Sequence, residues 1–290
     1  HTQRRSGRAA RLVISKAKLP QSTSSWTPFG WELNKKFDSK YITVGEHTVH
    51  YLTAGQGKTV ILMIASQVVL ARSYRSTVNA MSREHTVVCL ELPGCGRSDS
   101  VKQPLTHQQY ADWIVQFLHY MDITKAVVIG HSCSTAPAIA LAESHSSLVS
   151  HLILVSAIGG HAPRGLAKIV FGRLRGALLE VQFSIPGAFH GLYNVLFQGQ
   201  SFWFWIMMTT SLDMTAEAAN VQVPTLLCWG RHDYTCPLSA GLKYEDLMPL
   251  SQLYVCEHGS HNWLIQRPEE FLDVVTSFVC NRDSTVKDQL

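Results

Sequence analysis

Along most of the chain the apolar positions follow two rhythms. Short runs dominated by Val, Ile and Leu occur at 59–64, 85–92, 126–129, 152–156 and 225–229. Runs of this length read as strands buried on both faces. Between them the spacing changes to that of a helix. Tyr110, Trp113, Ile114, Phe117, Leu118 and Met121 recur at i, i+3, i+4, i+7, i+8 and i+11 within 107–122, one stripe of an amphipathic helix. Near the beginning, 41–44 and 49–52 flank Gly45-Glu46-His47, a hairpin signal. A helix near 239–249, a strand at 253–256 and a helix over 268–280 complete the pattern. Strands alternating with helices predict an α/β fold, a mostly parallel central sheet with helices on both faces.

The alternation breaks between 158 and 220. Within 161–212 the single acid is Glu180, and large apolar groups crowd the stretch: Phe171, Phe183, Phe189, Tyr193, Phe197 and the cluster 202–208. Leu166, Ile169, Val170, Leu174, Ala177 and Leu178 share one helical face, and Arg164, Lys168 and Arg175 share another. That basic face suits a solvated outer surface or a membrane surface. The organisation predicted is a basic N-terminal extension (1–40), a first core segment (41–157), an insertion (158–220) and a second core segment (221–290). Within the extension, 1–26 carries six Arg and Lys, with no acid before Glu32. It reads as a solvated arm, a transit remnant or an anchor to anionic lipid.

Composition narrows the class. In 290 residues, 46% are hydrophobic and 16% charged, enough for a sizeable core and too apolar for disorder. A net charge of +4 is too modest to point to nucleic acid. No stretch reaches the roughly 18 apolar residues of a membrane span. Of seven cysteines, none in a C-x-x-C pair, several fall in strand-like runs: Cys89, Cys228 and Cys256. They read as buried packing groups and favour an intracellular, cytoplasmic location. The terminal Lys287-Asp288-Gln289-Leu290 has Gln where an endoplasmic-reticulum retention signal has Glu, and is taken as chance.

The chemistry gathers at 126–136, where a β-branched run meets Gly130-His131-Ser132-Cys133-Ser134 and then a helical pattern. A strand turning sharply into a helix exposes the Ser132 hydroxyl at the carboxyl edge of the sheet, beneath the N–H groups of the helix start. Pro137 is tolerated if that helix begins near Cys133. A nucleophilic serine needs a base, and the base needs an orienting group. The run Cys228-Trp229-Gly230-Arg231-His232-Asp233, with Pro237 four residues on, brings a carboxylate to the same edge. Asp213 is a spare acid within the insertion. The base is His258 or His261.

These stretches resemble the α/β-hydrolase family over roughly 41–280. Ser132 sits as in the family's G-x-S-x-G elbow, with Ser134 in place of the second glycine. Asp233 matches the acid of W-G-x-x-D-x-x-x-P. In the family's G-H-x-x-x-x-E-x-P-E-x-F pattern the histidine precedes the proline by seven residues, which from Pro268 gives His261; Ser260 and Gln266 depart from it. His258 is then a structural loop histidine. The stretch 91–99 is similar to the family turn D-x-P-G-x-G-x-S-D, with Glu91 replacing the first acid.

The resemblance implies an oxyanion site from the backbone N–H groups of Cys133 and Gln67. It also implies a helical cap over Ser132, in which Phe202, Trp203, Trp205 and Met208 either line an apolar pocket or pack the cap onto the core. Where the family usually reads H-G-x, this chain reads Ala65-Ser66-Gln67, and Ser66 would adopt the glycine's backbone angle only with strain. The implied activity is hydrolysis of an apolar acyl or aryl ester, lipids included, with no metal or organic cofactor. Thioesters, lactones and activated carbon–carbon bonds suit the same triad. Dehalogenase and epoxide-hydrolase relatives are disfavoured, because they carry a carboxylate where this chain has Ser132. The alternative is a non-hydrolytic or very slow protein that binds a small apolar ligand. The partners implied are a small-molecule ester and, through the cap or the N-terminal arm, a lipid surface.

Overall fold

A computed structural model describes residues 37–160, 166–177 and 180–287. The N-terminal arm, Arg164, Leu178 and the last three residues lie outside the described residues. Eight strands form one sheet in the order β1-β2-β4-β3-β5-β6-β7-β8. They are β1 (Asp38–Val44), β2 (His47–Ala54), β3 (Val60–Ile64), β4 (Thr86–Leu90), β5 (Ala126–His131), β6 (Val149–Val155), β7 (Thr225–Gly230) and β8 (Ser251–Cys256). The hairpin β1–β2 closes with Val44 paired to His47, and β2 pairs antiparallel with β4. All other pairings are parallel.

The helices are α1 (Arg75–Met81), α2 (His107–Tyr120), α3 (Thr135–Ser144), α4 (Leu166–Ala177), α5 (Val181–Phe197), α6 (Gly199–Ser211), α7 (Thr215–Asn220), α8 (Leu238–Leu247), α9 (Trp263–Gln266) and α10 (Pro268–Lys287). The start of α2 is set by a capping box: Gln109 N–H donates to Thr106 Oγ1 at 3.1 Å, and Thr106 N–H donates to Gln109 Oε1 at 2.8 Å. Its apolar stripe then packs on the sheet.

The central strands are continuous apolar runs because they are covered twice. Along β5, Val127 and Ile129 join the cluster formed with Met63, Phe271 and Val275, while Ala126 and Val128 join the one formed with Ile114, Phe117 and Leu154. This is the two-residue period of a strand filling two layers. Each such buried side chain stabilises the fold by about 1.5–3 kcal/mol.

The pattern misses two ends for the same reason. Strand β1 begins three residues before the expected apolar run, and its residues 38–40 are exposed. Helix α10 continues past Cys280 into the polar stretch Asn281-Arg282-Asp283.

Between β6 and β7 the chain leaves the sheet and builds α4–α7, a helical cap insertion. The apolar face read for α4 turns inward only in part, at half-buried Ile169. Lys168 and Arg175 are exposed as expected, but so are Val170 and Leu174, because the helix rests on its buried Gly172. Among the described residues no helix is long and apolar enough to cross a membrane.

Candidate active site

Strand β5 runs into a 3-10 turn, Ser132–Ser134, that leads directly into α3. Ser132 takes φ +56° there, a left-handed conformation that costs an L-residue about 1–2 kcal/mol. The surroundings hold it. Thr135 Oγ1 donates to the Ser132 carbonyl at 2.5 Å, and Ser134 Oγ donates to the Ile64 carbonyl of β3 at 2.7 Å while accepting His131 N–H at 2.9 Å. A serine in place of the second glycine thus staples the elbow to the neighbouring strand. At Gly130 a Cβ would stand 2.9 Å from Thr135 Cα, so strand and helix require glycine at that point.

From the elbow a buried line of hydrogen bonds runs outward. Ser132 Oγ lies 3.0 Å from His261 Nε2, and His261 Nδ1 lies 2.9 Å from Asp233 Oδ2. A carboxylate only accepts, so Nδ1 carries the proton and Nε2 is free to accept from the serine. Asp233 Oδ1 is occupied separately by Thr235 N–H at 2.9 Å and Cys236 N–H at 2.8 Å. Burial works to raise the Asp233 pKa. The His261 charge, its hydrogen bond and that from Cys236 outweigh burial and hold the carboxyl below its ordinary value. His258 is exposed in the turn after β8, and Asp213 is exposed and occupied with Thr215.

A second buried line ties this one to the loop after β3. His131 Nε2 donates to the His261 carbonyl at 3.1 Å, which leaves Nδ1 to accept from Tyr74 Oη at 2.7 Å. Tyr74 Oη in turn accepts Ser66 N–H at 3.1 Å. Burial, assisted by the nearby His261, lowers the His131 pKa to about 3, so the ring is neutral. Burial also keeps the Tyr74 phenol protonated by pushing its pKa up. The strain expected at Ser66 is not there. Among the described residues the non-glycine positions with positive φ are Asp122, Ser132 and Ser156, so Ser66 needs no glycine-like angle. The tyrosine hydroxyl holds the loop instead. Gln67 and Cys133 both border the cavity beside Ser132.

The cavity has a volume of about 280 Å³, between the sheet edge and the cap. Of the aromatic and methionine side chains read for it, Phe202 and Trp205 are in its wall. Trp203 and Met208 are not: Trp203 is 55% exposed on the outer side of α6, and Met208 packs against the core. Adjacent residues on a helix point about 100° apart, which separates Trp203 from its neighbours.

Three contributions escaped the sequence. Arg173 is in the wall and makes no hydrogen bond or ion pair with another described residue. Ser156, at the end of β6, donates to the His261 carbonyl at 3.4 Å. Buried Glu180 of the cap takes two bonds from the residue after His261, Asn262 N–H at 3.0 Å and Asn262 Nδ2 at 2.5 Å. The Glu91 turn is structural: its carboxylate accepts Ala71 N–H and Arg97 N–H at 2.6 and 2.7 Å, and fills the space where a side chain at Gly96 would stand.

Comparison with known proteins agrees with the fold. The model of the alpha/beta hydrolase family matches residues 66–274. A 2-hydroxy-6-oxo-6-(2'-aminophenyl)hexa-2,4-dienoic acid hydrolase of Metapseudomonas resinovorans is 23% identical over 283 residues, 87% of this chain and 95% of that protein. The structure of a serine hydrolase involved in carbazole degradation is similar with a TM-score of 0.72 at 20% identity, over 84% of this chain and 99% of its own. A membrane phospholipase A, a bacterial virulence factor, is similar with a TM-score of 0.72 at 19% identity, over 84% of this chain and 86% of its own.

Proposed function

The chain belongs to the alpha/beta hydrolase family, and on that premise we propose that it is a serine hydrolase cleaving a carboxylic ester through an acyl-enzyme on Ser132. The observation that carries this reading is the hydrogen-bonded line Ser132–His261–Asp233. Ser132 Oγ attacks the ester carbonyl as His261 Nε2 takes its proton. Asp233 keeps the ring in the accepting tautomer and stabilises the imidazolium. The carbonyl oxygen gains charge and is met by the N–H groups of Cys133 and Gln67. His261 then returns the proton to the leaving alcohol, and a water activated by the same base releases the acid.

The cavity supports the proposed substrate class. At about 280 Å³ it is at the small end for ligand sites and suits a compact apolar acyl or aryl ester. Peripheral contact with a lipid surface belongs to the same proposal, as does an intracellular location argued from cysteines spaced for packing. A second reading, hydrolysis of an unsaturated acid, draws on the name of the Metapseudomonas relative; the activated carbon–carbon bonds that suit the same triad belong to it. It is favoured by Arg173, a cation in the wall with no described partner, which an acid's carboxylate would meet.

The test is hydrolysis of p-nitrophenyl esters from acetate to palmitate, beside Ser132→Ala and labelling with a fluorophosphonate probe. Turnover and labelling that both vanish in Ser132→Ala are expected. Labelling without ester turnover would shift the reading to the unsaturated acid. Neither labelling nor turnover would leave a protein that only binds an apolar ligand.

A further inference from the structure

The cap turns apolar side chains to water on three of its helices. On α5 and at its C-cap the polar side faces the core: Asn194 Nδ2 donates to the Gln67 and Val68 carbonyls at 3.2 Å, and the C-cap Gln198 Nε2 to those of Gly96 and Ser98 at 3.1 and 2.6 Å. On α6, buried Ser201 accepts Val101 N–H at 2.9 Å, and Trp205 stacks on Tyr110 with ring centroids 4.7 Å apart. The opposite sides are apolar and face water. At about 100° per residue, Phe189, Leu192 and Leu196 lie across α5 from Asn194, and Trp203 and Met207 lie across α6 from Ser201 and Trp205. All five are more than half exposed. Phe171 and Leu174 extend the patch over α4. Ten of the fifteen exposed large apolar side chains among the described residues are on these three helices. A patch of this kind marks an interaction surface.

Charge and continuity identify what covers it. From 166 to 211 the only acid is Glu180, which is buried against Asn262, while Lys168 and Arg175 are exposed. Apolar groups with cations and no exposed acid match an anionic lipid surface. Val170 lines the cavity and is also 46% exposed, so the cavity wall continues into the patch. We infer that the outer face of α4–α6 is a lipid-binding surface that seats the protein on an anionic bilayer, with Phe189, Leu196 and Trp203 inserted among the acyl chains. An apolar substrate then passes along Val170 into the cavity without crossing bulk water. This deepens the proposed reading of the cavity as a site for an apolar substrate, and rests on it for that last step alone.

The experiment is flotation of the full chain with vesicles of phosphatidylcholine, alone or mixed with phosphatidylglycerol. It is compared with the triple variant Phe189→Ser, Leu196→Ser, Trp203→Ser and with Ser132→Ala. The parent and Ser132→Ala are expected to float with the mixed vesicles and to be partly released by salt. The triple variant keeps its Tm and loses about tenfold or more in vesicle affinity. A triple variant that binds like the parent overturns the assignment and moves the seat elsewhere, to the basic arm first. A parent that ignores both vesicles also overturns it. So does a concentration-dependent dimer, seen by sedimentation velocity and abolished by the triple substitution without vesicle binding, which gives the face to a second copy. Vesicle binding in a protein that turns over no ester leaves the surface standing and sinks the ester-hydrolase reading alone.

Discussion

Strand β5 and the described part of helix α5 bury opposite chemistries. Every residue of β5 is buried, and Val127 to Ile129 fill both core layers before the strand delivers Ser132. Helix α5 sends Asn194 and Gln198 inward and leaves Phe189, Leu192 and Leu196 outside. The energies differ accordingly. Apolar burial holds the core at about 1.5–3 kcal/mol per large side chain. A neutral hydrogen bond such as those of Asn194 contributes a net of about 0.5–1.5 kcal/mol. The described part of α5 is therefore registered by directional bonds, while apolar burial of the cap falls to α6 and α7 through Trp205, the N-cap Met214 and Ala218. On the proposed mechanism, that suits a cover that admits a substrate over Ser132.

The largest effect is expected on the core side. Asp233→Asn preserves an acceptor for Thr235 N–H and Cys236 N–H, so the turn is kept. Its amide group would donate to His261 Nδ1 and move the ring proton to Nε2, where it can no longer accept from Ser132. On the proposed mechanism kcat falls by about 10⁴, while far-UV circular dichroism and vesicle binding stay as in the parent. Ester turnover within tenfold of the parent would remove Asp233 from the mechanism.

A middle-sized effect should separate cap from core. Glu180→Ala leaves the buried Asn262 N–H and its side-chain amide without the carboxylate they share. Losing hydrogen bonds to a charged group costs about 1.5–3 kcal/mol. Because the tie joins cap to core, hydrogen exchange is expected to accelerate in α4–α6 and beside His261, and to stay slow in β3, β5 and β6. Uniform acceleration through the sheet would show that Glu180 belongs to the core's stability and that the two regions are not separate.

The same contrast decides what could be read from the sequence. The sheet was legible because double burial leaves continuous apolar runs, and α2 because one covered face leaves a period. Ser132, Asp233 and His261 were legible because each sits in a short local motif, and the structure brings these three into one line. The cap faces were not legible. Helices α5 and α6 are apolar almost all round, so no contrast tells Trp203, outside, from Trp205, against Tyr110. Contacts between distant segments left no local signal either. Tyr74 and His131 are 57 residues apart, and Glu180 and Asn262 are 82 apart. The strain expected at Ser66 failed for this reason, since what replaces the usual His-Gly is a hydroxyl from elsewhere.

The smallest effect tests that replacement. Tyr74→Phe removes one oxygen from a fully buried ring and leaves its packing in place. Ser66 N–H loses its acceptor and His131 Nδ1 its donor, while the bond from His131 to the His261 carbonyl remains. The loop bearing Gln67 is then held to the elbow by fewer bonds. A Gln67 N–H that meets charge developing on the substrate oxygen would be displaced mainly in the transition state. A full donor is worth about 10²–10³ in rate, so partial misplacement should lower kcat by about tenfold and leave KM near the parent's. Phosphonate labelling should slow by the same factor. If Tm drops while kcat, KM and labelling rate all hold, the hydroxyl only supports the fold, and the oxyanion loop draws its rigidity from the sheet rather than from the line through Tyr74.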